Sequence, residues 1–529
     1  MTEVAGRTAV AERPPDGGAP TGTGGGSVRR AALLSGVLVA GGTGLGFLRD
    51  LTMAHLFGAG RETDAFLVGW TIPETVSPLL IEDAMALVMV PLITRTLAGR
   101  DGVRPLLARV LPRLAAGLAC AVAVIMATAP WLVGLLAPGL PDAAAATRCV
   151  RLTALTVLTF GIAGFMCATL RAHHRFGPPA AIYLAYNAGI LASLALFAGT
   201  LHVTAAALGV AIGGACMIAV QAPAFASCVR SAPRTLRSPR TPRAGRPAVE
   251  LALIAPIAAC TLLRQAQVFA ERFLGSGLAS GSISHLNYAQ KVAQVPMVLS
   301  LLVVTVTFPR LVRSSASGDT GLVRRRVEAD LVVVSGVVLA ATAFLVAFAP
   351  QIVAVLFEHG RFTPADTERT ALILRVYTLG LWGQSVIGVS VRAFFAGDRP
   401  TWRPARALVT GLAVTVAVGA GGVGLAGTTA LAAANATGIT VAALLLLRAV
   451  RARVAPISFR TVGAGAGRLL LAALAACAAG LLLADRLDGL VPPVAVLAAG
   501  GAVVAAVFAA VALAFARTFA HHQPGEHRS

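Results

Sequence analysis

Fourteen stretches of about twenty or more mostly apolar residues follow one another along this 529-residue chain, separated by short polar connections. They fall near 31–56, 64–95, 110–136, 148–171, 179–199, 203–227, 250–274, 282–309, 328–350, 366–395, 404–423, 427–447, 464–484 and 492–515. A helix that crosses a bilayer needs about 20 such residues. Hydrocarbon offers backbone groups no partner outside their own helix or a closed barrel, so the pattern predicts an all-α polytopic membrane protein. A mean hydropathy of +0.79 with 13% charged residues lies outside the range of soluble chains.

The net charge of +21 would suit a nucleic-acid binder, but the sequence leaves no folded polar domain to make that contact. The arginines instead gather in alternate connections. The N-terminal tail, Arg95 to Arg104, Arg171 to Arg175, Arg310 to Arg326, Arg392 to Arg406, Arg448 to Arg460 and the C-terminal tail are basic. The 230–248 segment holds Arg230, Arg234, Arg237, Arg240, Arg243 and Arg246 with no acid. Connections near 200–202, 275–281 and 420–427 have neither lysine nor arginine. With fourteen spans every basic segment lies on one side, which predicts a multi-pass membrane protein with both termini cytoplasmic.

The first 30 residues, rich in Gly, Pro and Thr, read as a disordered tail. No small-residue cleavage site follows the first apolar run, which is therefore expected to stay as a helix. Seven cysteines are scattered without a CxxC or paired spacing, so neither disulfides nor zinc are expected. The His173-His174 and His521-His522 pairs have no metal-ligand partners in sequence. No P-loop, HExxH or nucleophile elbow occurs, and the expectation is a transporter without covalent chemistry, cofactor or metal. The glycines at 41, 42, 44 and 46 imitate a nucleotide loop, but no strand precedes them; close helix packing is the reading preferred.

The chain repeats itself. Arg49 and Arg264 each precede a short turn, FGAG at 57–60 and FLGSG at 273–277, and a long apolar run follows each. Those runs end in Pro91 with Arg95 and in Pro309 with Arg313. Leu170-Arg171-Ala172 with Pro178 matches Val391-Arg392-Ala393 with Pro400. Six helices per half keep the orientation, so the halves are parallel repeats, the plan of an alternating-access carrier. The expected organisation is a tail (1–30), a lobe of helices 1–6 (31–229), a basic linker (230–249), a lobe of helices 7–12 (250–455), helices 13–14 (456–516) and a second tail (517–529). The two pseudo-symmetric lobes would enclose a central cavity, with helices 13 and 14 outside the repeat.

Ionisable residues inside spans mark function, because a charge at the bilayer centre costs about 2.5–3.5 kcal/mol on insertion scales. Arg49, Asp50, Asp64, Glu74, Glu82 and Asp83 lie in or beside the first two spans. Arg49 either projects into the cleft or pairs locally; neighbours on a helix diverge, which disfavours Asp50 and favours Asp64. Arg264, Glu271 and Arg272 could form the matching cluster in the second lobe, since residues seven apart share a helix face. Glu82 and Asp83 are costly if ionised and unpaired, so a cationic partner or a raised pKa is expected. Lys291, the only lysine among 44 basic residues, fits either a cavity ammonium or a side chain snorkelling to the interface.

GFLRDLTMAHLFGAGRETDAFLVGWTIPE resembles the first-helix signature of the MurJ/MviN lipid II flippases, of the multidrug/oligosaccharidyl-lipid/polysaccharide exporter superfamily. LNYAQKVAQVPMVLSLLVVTVTFPRLVR resembles their eighth helix, and LFEHGRFTPADTERTALILRVYTLGL with VRAFFAGDRPTWRP their ninth-to-eleventh-helix region. The resemblance spans roughly residues 31 to 455. It implies export of an undecaprenyl-diphosphate-linked peptidoglycan precursor for cell-wall synthesis, with the polyprenyl tail kept in lipid along helices 13 and 14. It implies a bacterial plasma membrane as the location, and membrane lipids and the cell-wall synthesis machinery as partners. It also implies Arg49, Asp64 and Lys291, which match cavity residues of that family, as substrate-binding candidates. Arg264 and Glu82 join the candidates as charges embedded in apolar sequence.

Departures accompany it. Two further family cavity arginines align with Thr43 and Ser77, and Glu74 and Asp83 add acid where relatives usually have Asn and Gly. The family's sodium site uses acidic or amide residues on helices 7, 11 and 12, and residues 402–447 hold no Asp or Glu, so none is expected. Two other readings stay open at this point: a proton-coupled drug or metabolite antiporter of the same superfamily, and a non-transporting membrane scaffold.

Overall fold

In the computed structural model, residues 25–98, 103–231, 247–298, 319–395, 401–487 and 489–520 are described. The tails, most of the 230–248 linker, and Pro309 with Arg313 fall outside the described residues, as do the side chains of Asp83 and Arg95. Every long element among the described residues is helical, as the apolar runs require.

The first lobe comprises α1 (Gly25–Phe57), α2 (Arg61–Ser77), α3 (Ala84–Ala98), α4 (Val103–Leu136), α5 (Ala143–Ala172), α6 (Gly177–Leu201) and α7 (Thr204–Ser231). A π-helical turn, Pro78–Asp83, joins α2 to α3, so the two form one span. Pro73 lies inside α2 without breaking it, whereas Pro78 begins the π turn. Loss of the proline amide frees a carbonyl one turn back and shifts the hydrogen-bond register.

The second lobe comprises α8 (Pro247–Gly275), α9 (282–298), α10 (Thr320–Ala347), α11 (Ala349–Phe357), α12 (Pro364–Tyr377), α13 (Leu381–Phe395) and α14 (Arg403–Arg453). A 3₁₀ turn makes α12 and α13 one span. The two runs expected at 404–423 and 427–447 are two helical segments of α14 that turn back on each other at Gly427, whose φ of 55° favours glycine; Gly411 packs against Gly438 and Ala442 across that turn. α15 (Phe459–Leu487) and α16 (Pro493–Ala520) pack on each other and on α10. Nine described helices are long and apolar enough to cross a membrane by length and composition.

Each lobe has its own core, built on Phe66, Phe160 and Ile190 in the first and on Phe348, Phe357 and Leu446 in the second. α5 lies at the centre of the first lobe, with 72% of its most apolar window buried, while α4 and α16 bury only 17% of theirs. α1 lies against α6 through Gly42 and Gly46, where an added Cβ would stand 3.0 Å from Tyr183 and 3.3 Å from Asn187. That is the close packing expected of the 41–46 glycines.

Candidate functional site

Arg49 sits near the end of α1 and is 7% exposed. Its Nε and Nη2 donate to Asp50 Oδ1 at 3.0 and 2.7 Å, and Nη1 donates to Asn187 Oδ1 of α6 at 3.3 Å. The guanidinium lies 4.3 Å from the centre of the Trp70 ring. The expected Asp64 partnership is thereby corrected. Adjacent Cβ atoms do diverge, but the three-carbon arginine stem is long enough to fold back onto its neighbour's carboxylate.

Asp64, 4% exposed, instead crosses to the other lobe. Its Oδ2 accepts from Gly281 N at 2.7 Å and its Oδ1 from Ser284 N at 2.8 Å, capping the start of α9. The first amides of a helix have no partner within it and carry its positive dipole end, so a carboxylate is the natural acceptor. Nearby, Arg361 N donates to His55 O at 2.9 Å and Gly139 N to Ser276 Oγ at 3.3 Å. These bonds join the lobes at the face that carries the 57–60 and 275–281 turns. His285 completes that face: its Nδ1 is 2.9 Å from Thr370 Oγ1 and its Nε2 is 3.6 Å from Asp366 Oδ1.

Deeper in the bundle, Arg272 of α8 pairs with Glu74 of α2 at 2.6 Å and also contacts Thr71 Oγ1. Gln265 donates to the backbone carbonyl of Glu74. The charges of Lys291 on α9 and Arg49 on α1 also act on Glu74. Arg272 is thus the cation that binds this carboxylate, and it does so from the other lobe. Glu74 and Arg272 were each visible as charges in apolar sequence, but their pairing was not, since the two lie 198 residues apart.

Arg264 does not share a pair with Glu271. Glu271, 7% exposed, is bound by the Asn435 amide, and Asn435 lies 3.5 Å from the Tyr377 hydroxyl. Arg264 instead lines a cavity of about 650 Å³ formed chiefly by α8, α9, α13 and α14, with Glu74 contributed by the first lobe. Arg49, Lys291, Asp64 and Glu82 are not in its wall, although Gln290 and Gln294, on either side of Lys291, are. Glu82, on the π turn, accepts from Tyr183 OH at 2.6 Å, and that hydroxyl lies 3.1 Å from Ser77 Oγ. Thr43 bonds its own helix through Val39 O.

A two-lobed, all-helical membrane fold with a charge-bearing interior is the architecture of the exporter-type transporters. Within that class, the chain belongs to the family described as lipid II flippase MurJ, whose sequence pattern it matches over residues 53–519. The probable lipid II flippase MurJ of Rhizobium meliloti (strain 1021) is 29% identical over 388 residues, 70% of this chain and 71% of that protein. The lipid II flippase MurJ of Burkholderia cenocepacia is 26% identical over 367 residues, 66% of this chain and 70% of the relative. In fold, the chain is similar to the inward closed conformation of lipid II flippase MurJ, with a TM-score of 0.74 at 19% identity over 92% of this chain and 99% of the other. It also resembles an inward-facing multidrug resistance MATE family transporter, with a TM-score of 0.65 at 13% identity over 78% and 94%.

Proposed function

We propose that this protein is a lipid II flippase, which carries an undecaprenyl-diphosphate-linked glycan outward by rocking its two lobes about the central cavity. The observation that carries this reading is the setting of Glu74. Arg272 of the second lobe binds its carboxylate and Gln265 of the same helix its backbone carbonyl, so the lobe junction closes on one largely buried anion. A diphosphate cannot cross hydrocarbon unaided, because burying unpaired charge costs tens of kcal/mol by Born estimates. Cations can replace its hydration, each charge-assisted hydrogen bond contributing about 1.5–3 kcal/mol.

In this mechanism the headgroup takes the place of Glu74 among the cations, and Arg49 contributes through its field rather than by contact. The bonds of Asp64 to α9 hold the face of the 57–60 and 275–281 turns shut and part when the lobes rock. The domain limits given above, both cytoplasmic termini and a plasma-membrane location belong to the same proposal.

The test is complementation of a flippase-depleted bacterium, scored by accumulation of the lipid-linked precursor. The wild-type chain is expected to clear the precursor, and Lys291→Gln with Arg272→Gln to let it accumulate. Full clearance by that double variant would refute the proposed role of these cations.

A further inference from the structure

We propose that the cavity of the second lobe is a separate anion site, in which Arg264 and Arg392 hold the diphosphate of a sugar diphosphate ester. Both residues line it, Arg264 from α8 and Arg392 from α13, and the charge of Arg264 acts on Arg392. Among the described residues neither guanidinium has a hydrogen-bond or ion-pair partner. Arg392 is only partly exposed and shares the wall with Phe395 and Leu408, so its charge is poorly screened by water.

Two like charges held near each other without an acid favour an incoming anion over the empty state. The one carboxylate in the wall that could neutralise them, Glu74, is already bound by Arg272. Arginine is also the residue suited to planar, bidentate contact with phosphate oxygens. Two guanidiniums match the double charge of a diphosphate.

The remaining wall specifies what is attached to that anion. Gln294 and Gln384 face the cavity, and among the described residues their amides have no partner. Spare amide donors and acceptors beside an anion suit the hydroxyl and acylamino groups of a sugar, and a volume of about 650 Å³ accommodates a diphosphate with a sugar ring. Arg264 and Arg272 are eight residues apart on α8, roughly 12 Å along the axis. The cavity is therefore a first docking place on the side of Arg264 and Arg392, from which a headgroup advances to the cations around Glu74. The site rests on the flippase reading only for which diphosphate ester is carried.

The experiment uses the full chain in phosphatidylcholine nanodiscs, titrated separately with inorganic pyrophosphate and with UDP-N-acetylglucosamine. Arg264→Gln and Arg392→Gln are each expected to weaken both probes at least tenfold, and Gln384→Leu to weaken the sugar nucleotide alone. Monodisperse elution and an unchanged thermal midpoint establish that the variants are folded. Probe binding indifferent to both arginine substitutions overturns the proposal. So does loss of wild-type probe binding in discs containing phosphatidylglycerol, which makes bilayer phospholipid the occupant. Arginine-dependent binding by a protein that fails to rescue the flippase-depleted strain keeps the site and removes the flippase reading. Rescue with arginine-independent binding does the reverse.

Discussion

Arg49 and Arg264 hold matching places in the two lobes, each on the helix that precedes a short glycine turn, yet their surroundings are opposite. Arg49 is closed in by Asp50, Asn187 and the Trp70 ring. Arg264 faces a cavity, and among the described residues it has no partner. An acid near each was available: Glu271 lies on the same face of α8 as Arg264, but it is bound by Asn435. The pseudo-symmetry of the lobes thus preserves position and not role. A cation supplied with its own carboxylate becomes part of the framework and contributes a fixed field, whereas one left without an acid is reserved for a ligand.

That contrast is most exposed to removal of each arginine. Arg49→Ala leaves Asp50 buried and uncompensated, which costs about 3–5 kcal/mol for a broken buried pair. The expected result is a large fall in thermal midpoint and in yield of monodisperse protein in detergent. Arg264→Ala changes stability by no more than about 0.5 kcal/mol, the usual range where no buried partner is abandoned. Equal losses in the two variants would erase the distinction. The double change Arg49→Met with Asp50→Asn sharpens it, because no unpaired charge remains; it is expected to recover most of the lost midpoint.

The intermediate effect concerns Glu74. Glu74→Gln removes the negative charge on which Arg272, Lys291 and Arg49 act. An anion reaching those cations then has no built-in competitor. Pyrophosphate binding is expected to tighten about tenfold, equivalent to about 1.4 kcal/mol. A titration unchanged by Glu74→Gln would mean that Arg272 is as fully committed to the framework as Arg49.

Why the spans were legible and the pairings were not follows from how far each signal reaches. A run of twenty apolar residues is a local signal, so the all-helical, membrane-spanning plan could be read directly, and nine of the described helices are long and apolar enough to cross. α11 (Ala349–Phe357) escaped, since its nine residues continue the apolar run of α10 and only Pro350 marks the break. The π turn at Pro78–Asp83 depends on a register shift that no period displays. Arg49, Lys291 and Arg264 were visible as charges in apolar sequence, but their partners were not. The neighbour rule for helices describes where Cβ atoms point and ignores the reach of an arginine. Asp64 meets α9 across 217 residues, a pairing no local pattern encodes.

Trp70→Leu isolates the weakest component of the Arg49 clamp. Leucine keeps an apolar side chain of fair size between α2 and α6, and both Asp50 and Asn187 remain to bind the guanidinium. What disappears is the ring face 4.3 Å beneath the charge and the contact of Trp70 with Tyr186 at 6.3 Å. A cation over an aromatic face is worth about 0.5–1 kcal/mol at exposed sites and about 2 when desolvated. Because Arg49 is 7% exposed, the loss is expected near the upper figure before any gain from relaxation. The same substitution in the Arg49→Met, Asp50→Asn background has no cation to lose, so only the change in packing remains. A cost that is equal in the two backgrounds would assign the role of Trp70 to packing alone, and would leave the ion pair with Asp50 and the Asn187 amide as all that holds Arg49 in place.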